Sequence, residues 1–169
     1  ESIVGSAGTD TLTMLAAGTL SVGSVESVVG STGNDTITIR SGATTVWAKG
    51  GVDAITAGSG IDKILFKAAS ESGTGSSADS ITGFNAGTSS TAVDQIYLLG
   101  LVQGTLGFRG TGAFTSSGNT EVRAVSGTTY GSGLGAGDTV LLVDVNGDGA
   151  VDMEIKLLGT NVSNIDAGD

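Results

Sequence analysis

The sequence predicts an all-β protein: a parallel β-roll over residues 1–66, continuing into a mixed, largely antiparallel and sandwich-like β region over residues 67–169. Three observations carry this expectation. Glycine-led units repeat along the first part of the chain, each followed by a short run with an apolar residue at its centre. The apolar residues are mainly Val, Ile, Leu and Ala with few aromatics, which suits thin stacked strands. In the second part, alternation of apolar and polar residues replaces any helical period.

The repeats begin at the first residue. Glu1-Ser2-Ile3-Val4-Gly5-Ser6-Ala7-Gly8-Thr9-Asp10-Thr11-Leu12-Thr13 returns 25 residues later as Glu26-Ser27-Val28-Val29-Gly30-Ser31-Thr32-Gly33-Asn34-Asp35-Thr36-Ile37-Thr38. From Ser31 to Phe66 the period contracts to nine, giving four consecutive units: STGNDTITI, RSGATTVWA, KGGVDAITA and GSGIDKILF. Each reads x-x-G-x-D-x-U-x-x, with U apolar. Gly33, Gly42, Gly51 and Gly60 lead the turns, and Ile37, Val46, Ile55 and Ile64 occupy U. Thr44 stands where the other units have Asp35, Asp53 and Asp62. A glycine turn followed by a short strand predicts a roll whose successive units lie on opposite sides, so that residues 18 apart stack. Asp10 falls outside the nine-residue register.

Residues 67–80 are small and polar and predict a loop closing the roll. Ser80–Phe84 and Asp94–Leu98 read as short strands. Residues 107–139 read as strands joined by Gly- and Ser/Thr-rich turns. Thr139–Val143 reads as a buried strand. Val151, Met153, Ile155 and Leu157 alternate with Asp152, Glu154 and Lys156, the period of a half-exposed strand. No segment predicts a helix.

Composition narrows the function. Acidic residues number 17 and basic residues 7, a net charge of −10, which disfavours nucleic acid or anionic membrane as partner and favours a cation. Cysteine is absent, so a bound metal is the expected staple in place of disulfides. Histidine is absent too, which removes a Ser-His-Asp triad, an H-E-x-x-H zinc site and His-based acid–base work. With no nucleophile elbow or P-loop either, the chain is not expected to be an enzyme. No apolar run approaches the ~20 residues of a membrane span. The pattern is already under way at Glu1, as expected of a piece of a longer protein.

Two places suit calcium. In the roll, stacking brings Asp35 over Asp53 and Thr44 over Asp62, and the turns at Gly33, Gly51 and Gly60 offer carbonyls beside those carboxylates. These are hard oxygen ligands. Without a cation, stacked carboxylates repel. Further on, Asp144, Asn146, Asp148 and Asp152 occupy positions 1, 3, 5 and 9 of an EF-hand-like loop, with Gly149 at position 6. Position 12 is Ile155 rather than Glu, and a strand follows, so a polar hairpin turn is the competing reading.

Units such as GSTGNDTIT and GSGIDKILF resemble the RTX repeats of bacterial type I secreted proteins. The stretch Ala78-Asp79-Ser80-Ile81-Thr82-Gly83-Phe84 through Asp94-Gln95-Ile96-Tyr97-Leu98 is similar to the segment after the repeats in serralysin-type metallopeptidases, as are residues 140–159. The resemblance implies calcium as cofactor, Asp79 as a further ligand, an extracellular or cell-surface location, and the type I secretion machinery as partner. It implies no protease activity, since the family's catalytic zinc domain has no counterpart here. The family's tail of large apolar residues is not supplied by Ala167-Gly168-Asp169. The reading that follows is a calcium-induced folding and secretion module. The alternatives are a self-associating assembly or anchoring region of an S-layer protein or large adhesin, and an accessory domain of a secreted exoenzyme.

Overall fold

The computed structural model describes residues 1–87 and 93–169. Strands are numbered in chain order. Ten short strands build a parallel roll. One side holds β1 (Ser2–Val4), β3 (Thr19–Gly23), β5 (Thr36–Ser41), β7 (Ala54–Thr56) and β9 (Asp79–Thr82); the other holds β2 (Thr11–Thr13), β4 (Ser27–Val29), β6 (Thr45–Trp47), β8 (Lys63–Phe66) and β10 (Gln95–Leu98). The chain thus crosses from one sheet to the other at every strand, as the nine-residue spacing predicts.

The apolar U residues form the core. Leu20, Ile37, Ile55, Ile81 and Leu157 lie in register across one sheet, and Val28, Val46 and Ile64 across the other. All eight are buried. Each such side chain contributes on the order of 1.5–3 kcal/mol by leaving water. The coils stack closely at their turns. Gly51 has φ of 130°, and a Cβ there would sit 2.6 Å from the carbonyl carbon of Gly33, so only glycine fits.

The roll is longer and less regular than the four nine-residue units. Coils pair in register before Ser31 and after Phe66, with Ala54 opposite Ser80 and Lys63 opposite Gln95. The spacing between strands lengthens while the apolar position keeps its place in the stack. This is why the periodicity fades in the sequence while the ladder continues.

Beyond β9 the first sheet continues through β14 (Met153–Leu158), β13 (Thr139–Asp144), β12 (Glu121–Ser126) and β11 (Gly107–Phe108). β14, β13 and β12 are antiparallel neighbours, while β14 joins β9 in parallel. One nine-stranded sheet therefore runs through residues 1–66 and 67–169 alike. Two details differ from the sequence expectation. A single helical turn, α1 (Gly127–Tyr130), follows β12, and the Ser126 hydroxyl accepts the Thr129 N–H at its start. Strand β14 is not half-exposed, because Glu154 on its outer face is buried. The Glu154 carboxylate accepts the Gly75 N–H and the Tyr130 hydroxyl, both at 2.6 Å, so the 67–78 loop and the α1 turn close over it. Val151 lies before the strand and is exposed.

Candidate metal centre

The residue before each roll strand, or the first residue in the case of Asp79, stacks on its equivalents. One edge of the roll carries Gly18, Asp35, Asp53 and Asp79. The opposite edge carries Asp10, Glu26, Thr44, Asp62 and Asp94.

The carboxylates form a ladder, each accepting the backbone N–H of the equivalent residue one coil back. On the first edge, Asp35 accepts the N–H of Gly18 at 3.0 Å, Asp53 that of Asp35 at 2.7 Å, and Asp79 that of Asp53 at 2.8 Å. On the opposite edge, Glu26 accepts the N–H of Asp10 at 2.7 Å, Asp62 that of Thr44 at 2.9 Å, and Asp94 that of Asp62 at 2.8 Å. Thr44 breaks the pattern: its hydroxyl donates to the Val25 carbonyl. Sequence spacing thus foresaw that Asp53 stacks on Asp35 and Asp62 on Thr44. It did not foresee that the stacked acids approach through amides, which offset part of the carboxylate–carboxylate repulsion.

Several edge carboxylates accept an amide from upstream in their own chain, which for Asp35, Asp62 and Asp94 is the second. Ser6 donates its N–H to Asp10, Ser31 to Asp35 and Gly58 to Asp62, each four residues upstream of its acceptor, and Asn85 donates to Asp94. Asp53 and Asp79 are exceptions. Their Oδ2 atoms are buried and have no hydrogen-bond partner among the described residues. The two residues are 1% and 0% exposed, so bulk water does not reach them. The amide that would complete Asp79 belongs to Gly75 and goes to Glu154 instead. At Asp53 the residue four positions upstream is Lys49, which has φ of 71°, a left-handed conformation, and its amide does not complete Asp53.

Burial sets the electrostatics. Loss of water pushes the Asp79 carboxyl up to about 8 and the Asp53 carboxyl up to about 6, opposed by the amide each accepts and reinforced by the neighbouring acids. Glu71 adds to the rise at Asp79, and Lys156 opposes it. Burial also raises Asp94, against the two amides it accepts.

The predicted ligands fall into three groups. Asp53 and Asp79 adjoin, with open acceptors. Asp35 and Asp62 are buried, but amides occupy both oxygens of each. Gly33, Gly51 and Gly60 form the stacked turns beside them. The 144–152 loop joins β13 to β14 as a tight hairpin. Buried Asp144 accepts N–H groups from Gly147, Asp148 and Gly149, and Asp152 accepts from Val145 and Asn146. Asn146 accepts the Asp148 N–H, and Asp148 accepts that of Ala150. Among the described residues no group of three or more acidic side chains is gathered as a ready metal cage. A cation at Asp53 and Asp79 would therefore complete its shell with backbone carbonyls. Calcium accepts this, taking roughly six to eight oxygens from carboxylates and carbonyls alike.

Residues missed by spacing are Asp94 and Glu26. Both precede an apolar position by two, as Asp62 precedes Ile64: Asp94-Gln95-Ile96 and Glu26-Ser27-Val28. The acid-x-apolar triplet, rather than the nine-residue period, was the signal.

Residues 8–167 match the family model for the peptidase M10 serralysin C terminal. The chain belongs to the serralysin C-terminal family. That family is the non-catalytic, RTX repeat-containing end of serralysin-type peptidases, and the match takes in both edges of the roll and the antiparallel strands beyond it. No curated protein matches the chain. No helix among the described residues is long and apolar enough to cross a membrane. The donor set of this serralysin C-terminal chain fits calcium: it offers hard oxygens and, at Asp53 and Asp79, two buried acceptors lacking a donor.

Proposed function

We propose that this chain is a calcium-binding module whose folding is driven by calcium outside the cell and which serves the type I secretion of a secreted or cell-surface protein. The observation that supports it best is the pair of buried, donor-less carboxylate oxygens of Asp53 and Asp79 in a chain of net charge −10. A buried carboxylate without partner costs several kcal/mol unless it is neutralised. Bound calcium supplies the missing positive charge. The protein's own groups do the rest: the amides of Asp35 and Asp53 fix the two carboxylates through their Oδ1 atoms, and the apolar stack keeps water out.

Linkage then gives direction. Where free calcium is scarce, the carboxylate ladder opposes folding and the chain stays extended enough to pass an export channel. Where calcium is abundant, it binds the folded state alone and draws the equilibrium toward it. In this reading the cation-responsive roll takes Asp53 from residues 1–66 and Asp79 from residues 67–169, and the strands beyond β10 serve as cap and export-related region.

The test is far-UV circular dichroism during titration with a calcium chelator at neutral pH. The β signal is expected to fall substantially and to return with calcium. A spectrum unchanged in excess chelator would remove the calcium-driven folding reading.

A further inference from the structure

We infer that the outer face of the sheet formed by β2, β4, β6, β8 and β10 is a docking surface for an acidic polysaccharide, a chain of uronic acid sugars. Lys49, Lys63 and Lys67, gathered around the rings of Trp47 and Tyr97, would hold it. This inference goes beyond the calcium reading and does not depend on it, because none of these side chains belongs to the carboxylate ladder.

The placement follows from strand alternation. On β6 and β8, Val46, Ile64 and Phe66 point inward and are buried, so Trp47, Lys63 and Leu65 point outward. On β10, Gln95 and Tyr97 pair with Lys63 and Leu65 and share that face. Lys49 and Lys67 come just after β6 and β8 and reach the same surface. Their ammonium groups lie 5.2 Å and 3.4 Å from the centre of the Trp47 ring, and that of Lys63 lies 5.6 Å from the centre of the Tyr97 ring. β6 and β10 are two strand spacings apart, so the two rings stand about 10 Å from one another across the face.

Charge decides the partner. The chain has 7 basic residues against 17 acidic ones, yet three of the seven gather here. None of the three forms an ion pair: the one ion pair among the described residues joins Arg109 to Glu121. Glu71 lies beside this group, but its carboxylate accepts the Trp47 indole N–H, at 3.1 and 3.2 Å, and the Lys67 backbone amide. It fixes the ring and leaves the ammonium groups without a counter-ion. An ammonium held over an exposed ring is weakly bound, so it readily exchanges the ring for a carboxylate, to which it makes a stronger, charge-assisted bond. The ring face it leaves is then open to the C–H face of a sugar. A uronan supplies both complements, a carboxylate on each sugar and a flat apolar face. Duplex nucleic acid carries one charge per about 1.7 Å, and a net charge of −10 opposes so dense a polyanion. An anionic bilayer extends its charge well beyond the three lysines. A uronan is charged more sparsely, and the acidic remainder of the protein is screened from it beyond about 8 Å in physiological salt.

Trp47, the chain's one tryptophan, reports from within the surface. The experiment titrates the whole chain, in calcium, with short oligogalacturonate, following Trp47 fluorescence and the heat of binding; circular dichroism confirms the fold of each variant. Wild type is expected to give a saturable change that weakens as salt is raised. Lys63→Gln and Lys67→Gln should each weaken binding about two- to fivefold, and the variant carrying Lys49→Gln, Lys63→Gln and Lys67→Gln together about tenfold or more. Tyr97→Leu, which keeps an apolar strand residue and removes the ring, should weaken it about threefold. Arg40→Gln, on β5 of the other sheet, should change it less than about twofold. Fully methyl-esterified oligogalacturonate, the same sugars without charge, should not bind at the same concentrations. Equal binding of the ester, or no response of wild type by either measurement, overturns the inference. So does an unchanged affinity in the lysine variants, which would leave calcium bridging to the acidic edges as the link, or an equal loss from Arg40→Gln. Duplex DNA or phosphatidylserine vesicles binding as tightly through the same lysines overturns the assignment to a polysaccharide.

Discussion

At the scale of single residues, a carboxylate oxygen sealed from water and denied a donor must be protonated or paired with a cation. Asp79 and Asp53 answer to both, and the two answers compete. Without calcium, their carboxyls hold protons up to about 8 and about 6 in the folded state, against 3.8 as the ordinary value. The folded chain then binds more protons than the unfolded chain across this interval. Their stabilising contribution is complete below the ordinary value and is lost as pH rises through about 6 and then about 8. In chelator, the melting temperature should therefore fall from about pH 5 to about pH 8.5, and saturating calcium should flatten that fall. A melting temperature in chelator that is level or rises over this range contradicts the assignment. The variant Asp79→Asn sharpens the point. It keeps an acceptor for the Asp53 amide but removes the charge. At about pH 8 it should stabilise the chain in chelator by about 1–3 kcal/mol and destabilise it in calcium. Urea unfolding in both media reads the change of sign; the same sign in both would show that the charge is not the cause. None of this is visible in the sequence, where Asp35, Asp53 and Asp62 look alike. What separates them is whether the amide four residues upstream reaches the carboxylate: those of Ser31 and Gly58 do, that of Lys49 does not, and at Asp79 the Gly75 amide goes to Glu154 instead.

At the scale of elements, the acid-x-apolar triplet explains why strand positions in the roll were legible. The apolar residue must face inward to stack, which places the acid at the turn, where amides converge. Triplets at Asp35, Asp53 and Asp62 come with glycine in a nine-residue frame and announce themselves. Those at Asp79 and Asp94 follow longer intervals of sequence and lose the frame, although their strands β9 and β10 pair in register with β7 and β8. The 144–152 hairpin shows the opposite relation between pattern and geometry. Its residues match a calcium loop by spacing, yet each acid side chain already serves the loop's own amides. Asp144 is the centre of that turn, buried and accepting three N–H groups. Asp144→Ala should therefore cost about 2–4 kcal/mol, by the same amount with and without calcium, because it strands three amides. Asp148→Ala, on the exposed tip, should cost less than about 1 kcal/mol. Chemical denaturation in calcium and in chelator measures both. A loss from Asp144→Ala that appears only in calcium would instead make the hairpin a metal site.

At the scale of the molecule, the decisive feature is that β9 belongs to two structures at once. It is the last strand of one face of the roll, paired with β7, and the first partner of the antiparallel region, paired with β14. Ile81, fully buried, stands between Ile55 and Leu157 in the same apolar row. The sequence marks a change of composition after Phe66, but a sheet edge that has found a partner leaves no trace in local pattern. An end coil of a parallel roll exposes a row of unpaired backbone groups, and joining it to β14 removes that edge. Such continuity couples the two regions, so in calcium they should unfold together. The chain carries its own reporters. Trp47, its one tryptophan, lies on β6 in the roll, and Met153 is buried on β14 in the antiparallel region. Urea unfolding followed by Trp47 fluorescence and by the methyl resonance of labelled Met153 should give coincident midpoints. Ile81→Ala should lower both by the same amount, corresponding to about 2–5 kcal/mol for a buried Ile reduced to Ala. Separate midpoints, or a shift confined to one reporter, would mean that the roll and the antiparallel region stand independently.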